Sequence, residues 1–180
     1  MGRVTNLIVP QSLTPAAYEP YGRVIMASPR GEPGAVANLG TALRFDDVVE
    51  VANGRPATAT LKVKVFRSSP VPCERRPLAL LEKHPLSTQL FIPMNASRFI
   101  ALVALGGDAP DLSTLKAFVA EGAQGISYAP GVWHHPMLTL DTQTDFVVFV
   151  HEDGAAEDCV VIDRNDAAWP ELDLGTLRPA

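Results

Sequence analysis

The sequence predicts an all-β domain, a sandwich or small barrel with a few short helices, and three observations carry that expectation. Sixteen prolines and thirteen glycines cut the 180 residues into short segments, a punctuation that suits strands better than long helices. Short apolar runs recur at 78–82, 89–92, 99–105, 115–119, 137–140, 146–150 and 160–162, the spacing of many-stranded β folds. Turns rich in Gly, Asp and Pro separate many of them, as at 106–110 and 122–125.

Taken in order, Thr14-Pro15 reads as a helix N-cap followed by proline at the first helical position, opening a short helix through Ala16, Ala17 and Tyr18. Pro20 and Gly22 close it, and 28–34 is a loop by composition. From 58 to 66 the pattern alternates. Leu61, Val63 and Val65 share one face while Thr60, Lys62 and Lys64 share the other, which predicts a half-buried strand. Residues 111–120 admit either a short helix capped by Asp111 or a cap turn running into a strand. The second reading is preferred, because Gly122 and Gly125 then make a tight hairpin. The tail from Asp163 onward, with Pro170 and Pro179, is expected to wrap the surface.

Length fits one domain spanning 1–180. The apolar fraction of 47% and charged fraction of 19% are those of a globular chain. The net charge is −5 and the basic residues are scattered, so nucleic acid is not an expected partner. Cys73 and Cys159 lie far apart and outside any C-x-x-C pair, which argues against a disulfide framework or a cysteine zinc site. No apolar run approaches the roughly 20 residues of a membrane span, and the N-terminus lacks the apolar stretch of a signal peptide. A cytoplasmic chain without a membrane partner is expected.

Three of the four histidines stand in polar company. In an extended segment residues two apart point to one side, so Glu82 and His84 share a face. A turn over 85–87 would bring Gln89 back beside them on the next strand. The second group is Pro130-Gly131-Val132-Trp133-His134-His135-Pro136. Adjacent strand residues point to opposite faces, so at most one of His134 and His135 faces a barrel interior directly. Two imidazoles that titrate near neutrality mark a site. The alternative readings are a His84 that merely bonds a turn backbone and an exposed histidine pair beside a tryptophan.

Together the groups resemble the paired motifs of the cupin barrels. Glu82-x-His84, then Gln89, then Pro130-Gly131-x-x-His134 match the cupin ligand spacing, with Glu82 in place of the first His and Gln89 in place of the Glu. Glu82, His84, Gln89 and His134 make an O/N set for a divalent ion such as Ni, Mn, Fe or Zn. More closely, 81–94, 110–118 and 125–136 resemble the ureidoglycolate lyase family, with weaker echoes at 38–41, Arg44-Phe45, Phe66-Arg67 and 144–146. One departure is Asp46, where the family tends to carry His before an Asp. The resemblance implies a cupin-like double-stranded β-barrel, a homodimer, nickel dependence, and cleavage of (S)-ureidoglycolate to glyoxylate and urea.

That chemistry needs a base for the hydroxyl proton, an acid for the departing nitrogen and an anchor for the carboxylate. Glu82, His84, Gln89 and His134 form the expected polar floor, with or without a metal, and His135, Asp145 or a metal-bound hydroxide serve as a second proton carrier. Arg44, Lys64 and Arg67 are the cations able to anchor a carboxylate, with Gln89 and Trp133 also against the substrate. The rival functions are another metal-dependent cupin enzyme acting on a small hydroxy acid, and a non-catalytic small-molecule-binding cupin.

Overall fold

The strand Phe99–Ala104 is apolar at every position and buried along its whole length, so both of its faces need cover. In the computed structural model, which describes residues 7–95, 97–163 and 169–177, three layers of strands supply it. The middle layer is a seven-stranded sheet running Val160–Asp163, Leu80–Lys83, Trp133–His134, Phe99–Ala104, Lys116–Ala120 and Gln11–Ser12, with Leu138–Thr139 also paired to Phe99–Ala104. A five-stranded sheet faces it in the order Val24–Ile25, Gly125–Tyr128, Gln89–Pro93, Thr144–Glu152 and Thr60–Ser68. Between these two walls Phe91, Ile126, Tyr128, Phe146 and Val148 meet Phe99, Ala101, Val103 and Phe118. On the far side Leu81, Leu102 and Trp133 pack with Leu172 and Leu174. There a three-stranded sheet of Leu7–Ile8, Glu171–Asp173 and Arg75–Pro77 closes the third layer. The chain is thus all-β, with two facing sheets around a shared core, as expected.

Local chemistry explains the short elements. Thr14 Oγ1 accepts the Ala17 N–H at 3.2 Å and caps the helix Pro15–Tyr18. Asp111 accepts the Ser113 N–H and caps the 3₁₀ turn Leu112–Thr114, which runs into the strand Lys116–Ala120, the cap-turn reading of that segment. The tight hairpin expected at Gly122 and Gly125 does not form. Lys116–Ala120 and Gly125–Tyr128 belong to different sheets, and the turn carries the chain from one wall to the other. The crossing puts Phe118 and Ile126 into one core from opposite sides.

The strand Thr60–Ser68 alternates as predicted but is turned the other way. Lys62 and Lys64 pair with Val150 and Val148, which are fully buried, so the lysines lie on that side, Lys64 half-buried and Lys62 still exposed, while Leu61, Val63 and Val65 are exposed on the other. The strand is the edge of its sheet. Its register is set by Thr144–Glu152, whose inward positions belong to Phe146, Val148 and Val150. The tail does more than wrap the surface, since Leu172 and Leu174 are wholly buried. Residues 1–6, read above for a leader, and 164–168 and 178–180 of the tail lie outside the described residues. Among the described residues no helix is long and apolar enough to cross a membrane.

Candidate active site

Glu82 and His134 sit opposite each other on neighbouring antiparallel strands, so their side chains share a face. His134 pairs on its other side with Val103, which belongs to the core between the walls; that face points inward. His84 follows the strand Leu80–Lys83. One ligand atom from each of Glu82, His84 and His134 falls within 4.8 Å of the others, and among the described residues no other trio of His, Cys, Asp or Glu does so. The turn before His134 is tied to the strand end before it. Gly131 adopts φ +79°, open to glycine at little cost, and its N–H donates to the His84 carbonyl at 2.9 Å.

The backbone also sets the imidazoles. His84 Nδ1 lies 2.6 Å from the Asp158 carbonyl oxygen and His134 Nδ1 lies 3.0 Å from that of Val132. A carbonyl only accepts, so Nδ1 carries a hydrogen in both rings, and in a neutral His84 the lone pair is left on Nε2. His134 Nε2 is buried without a hydrogen-bond partner, 3.6 Å from Glu82 Oε1. The two imidazoles stack at 5.8 Å between centroids, and the Tyr128 ring lies over His134 at 3.9 Å, 7° from parallel. Burial pushes the Glu82 carboxyl up, but the His134 and His84 imidazoles and the Cys159 thiol together hold it below its ordinary value. Burial, then the neighbouring His134, lowers His84. A carboxylate and a neutral imidazole result at neutral pH.

The facing wall completes the site. Gln89 is the cross-strand partner of both Tyr128 and Val150, and its buried Oε1 has no hydrogen-bond partner. It stands on the next strand of the chain, as the turn at 85–87 predicts, but that strand belongs to the opposite sheet. The Tyr128 hydroxyl is likewise buried and unpartnered; burial, then Glu82, raises its pKa and keeps it a phenol. Lys64 Nζ pairs with Glu152 Oε2 at 2.6 Å, and the Glu152 charge is felt at His84. Cys159 donates its S–H to Glu82 Oε2 at 3.8 Å. Burial, then Glu82, pushes that thiol up to about 11, so it stays protonated.

The other sequence candidates lie elsewhere. Arg67 turns to the outer face of its strand and grips Asp145 through Nε and Nη2, both at 2.8 Å, which removes both residues from the interior. Arg44 is exposed and paired with Asp46 at 2.9 Å. Trp133 does not line the site: its neighbour His134 points inward, so it points into the other core, where Nε1–H donates to the Gly107 carbonyl at 3.2 Å. His135 is buried beside the trio, its Nδ1–H donated to the Pro136 carbonyl at 2.8 Å. Burial is the first cause that lowers its pKa. Cys159 and Asp158 carried no local signal, because their place depends on Val161 pairing with Glu82. Volume alone does not mark the site: a surface hollow of about 490 Å³ lined by Ser12, Leu13, Met26 and Val119 contains none of the trio.

Two imidazole nitrogens and a carboxylate, with an orphaned amide oxygen opposite, are a borderline N/O donor set suited to a divalent transition metal. Glu82, His84 and His134 would hold such an ion, consistent with their convergence.

Comparison with known proteins bears on what that set is for. The ureidoglycolate lyase family model matches residues 5–169. Ureidoglycolate lyases from Burkholderia mallei and Pseudomonas syringae pv. tomato are 42% and 37% identical to the chain; the first covers 77% of it and 78% of the relative, the second 83% and 85%. That of Pseudomonas entomophila is 34% identical over 94% of the chain and 95% of its own length. A solved dTDP sugar isomerase from Desulfovibrio desulfuricans G20 aligns with a TM-score of 0.40 at 16% identity, over 72% of this chain and 78% of its own. By the extent of the family match, the chain belongs to the ureidoglycolate lyase family.

Proposed function

We propose that this chain is a ureidoglycolate lyase that cleaves (S)-ureidoglycolate to glyoxylate and urea, and that Glu82, His84 and His134 carry the reaction. The observation behind the assignment of residues is the convergence of their ligand atoms within 4.8 Å, in a chain of this family.

The substrate is a carbinolamide bearing a carboxylate. Its hydroxyl must lose a proton, the C–O bond becomes C=O, the C–N bond to the ureido nitrogen breaks, and that nitrogen takes up a proton. Glu82, held ionised by its neighbours, takes the hydroxyl proton and returns it to the departing nitrogen, so the proton count balances without a second carrier. Glu82, His84 and His134, with Gln89 as a fourth donor, would hold a divalent ion, nickel the first choice, and the ion would supply Lewis acidity toward the hydroxyl. His84 and His134 contribute fixed Nε2 lone pairs, each oriented by a carbonyl on Nδ1. Lys64, the inward-facing lysine beside Glu152, anchors the carboxylate, the role that Arg44 and Arg67 do not reach.

We also propose that two copies pair through the strand Thr60–Ser68. This nine-residue strand is the edge of its sheet, and Leu61, Val63 and Val65 on its outer face are 49%, 63% and 60% exposed. A long apolar edge of this kind pairs with another strand, and a second copy presents an identical one. The compartment is proposed to be the cytoplasm.

The test of the activity is to incubate the purified protein with (S)-ureidoglycolate, before and after chelation, and to quantify urea, glyoxylate and ammonia. Equal amounts of urea and glyoxylate are expected, with the rate lost on chelation and restored by nickel. Ammonia in place of urea would assign an amidohydrolase instead, and no turnover would assign a binding protein.

A further inference from the structure

The chain segment 153–159 touches two members of the trio without being part of it. The Asp158 carbonyl accepts from His84 Nδ1 at 2.6 Å, and the next residue, Cys159, donates to Glu82 Oε2 at 3.8 Å. A guanidinium ties this segment to a turn about a hundred residues earlier in the chain. Arg55 Nη1 meets Asp153 Oδ1 at 2.9 Å and Nη2 meets Asp158 Oδ1. Asp158 also accepts the Gly154 N–H at 2.7 Å, and Asp153 accepts the Thr58 hydroxyl at 2.6 Å. The three charged side chains are 19%, 17% and 11% exposed, so their attraction is only partly screened by water.

The turn that carries Arg55 is braced against the other flank of His84. Gly54 N–H donates to the Leu86 carbonyl at 2.7 Å and Thr88 N–H to the Ala52 carbonyl at 3.3 Å. Thr88 Oγ1 accepts the Ala52 N–H at 3.1 Å. One turn therefore grips both the loop that follows His84 and the loop whose carbonyl fixes its ring.

We infer that Arg55 is a positioning residue: clamping Asp153 and Asp158, it holds the Asp158 carbonyl on His84 Nδ1 and so fixes the ring with its Nε2 lone pair toward Glu82 and His134. A carbonyl that drifts away leaves the imidazole free to exchange tautomers and to rotate, and an Nε2–H tautomer has no lone pair to offer there. Losing a partner of this kind costs roughly tenfold to a hundredfold in metal affinity or activity. The inference rests on His84 belonging to the reaction, but its structural half stands on the ring itself.

The experiment compares wild type with Arg55→Met and Asp158→Asn, the second variant retaining the Asp158 carbonyl and an oxygen for the Gly154 N–H. Long-range ¹H–¹⁵N correlation on ¹⁵N-histidine-labelled, metal-free protein reads the His84 tautomer directly, and steady-state kinetics on ureidoglycolate reads its consequence. Wild type is expected to show the Nδ1–H form alone. Both variants are expected to show mixed tautomers, with kcat reduced roughly tenfold to a hundredfold and KM within about twofold. Arg55→Lys, which keeps one arm of the clamp, is expected to recover part of kcat. An unchanged tautomer in a folded variant overturns the inference, and so does a loss confined to KM, which would make Arg55 a substrate contact. Should wild type not cleave ureidoglycolate at all, the tautomer comparison still decides the clamp, while the proposed activity falls separately.

Discussion

The two walls of the barrel divide the site unequally. The seven-stranded wall supplies Glu82 and His134 from adjacent strands in fixed register, with His84 at a strand end, and it is covered on both faces. The five-stranded wall supplies Gln89, Tyr128, Lys64 and Glu152 from strands that end at an exposed edge. The first wall carries every group of the donor trio, each imidazole locked by a carbonyl. The second offers two unpartnered neutral groups and a partly buried lysine ion pair. The proposed chemistry, which needs atoms held to a fraction of an ångström, thus falls on the wall packed on both faces, and the proposed recognition on the wall with the exposed edge.

The division can be broken at three points. The largest effect belongs to the seven-stranded wall: Glu82→Gln keeps the shape but removes the charge and the proton carrier, and kcat is expected to fall about 10²–10⁴-fold with KM nearly unchanged in steady-state assays. Next is Lys64→Met on the facing wall, which is expected to raise KM about tenfold through loss of a charge-assisted hydrogen bond while kcat changes little. A kcat loss as deep as that of Glu82→Gln would erase the distinction between the walls. The smallest effect on turnover belongs to the outer face of the same strand. Val63→Lys blunts the apolar edge, so light scattering is expected to show a monomer whose kcat per chain stays within about twofold. A persistent dimer would place the interface elsewhere.

The same comparison shows what could be read before folding. The groups on the seven-stranded wall were legible because their signals are local: Glu82 and His84 are two apart, and Pro130-Gly131 stands just ahead of His134. The cap at Asp111 and the helix start at Thr14 were legible for the same reason. Alternation in 60–68 revealed two faces but not which one meets the core, since the buried positions of Thr144–Glu152 decide that through pairing. The turns over 85–87 and 122–125 read as tight connections between neighbouring strands, yet both join strands of different sheets; a tight turn and a crossing between walls use the same residues. Trp133, expected against the substrate, lies in the other core, because strand alternation turns it away from His134. Arg55 gave no signal, because its partners lie about a hundred residues away in the chain.

The most direct measurement is urea and glyoxylate release from (S)-ureidoglycolate by wild type and by folded His84→Ala under identical nickel-supplemented conditions. The account predicts that wild type releases both products in equal amounts and that the variant loses at least ~10²-fold in rate with its circular dichroism unchanged. A variant that turns over at the wild-type rate would contradict the assignment of the reaction to the trio on the seven-stranded wall.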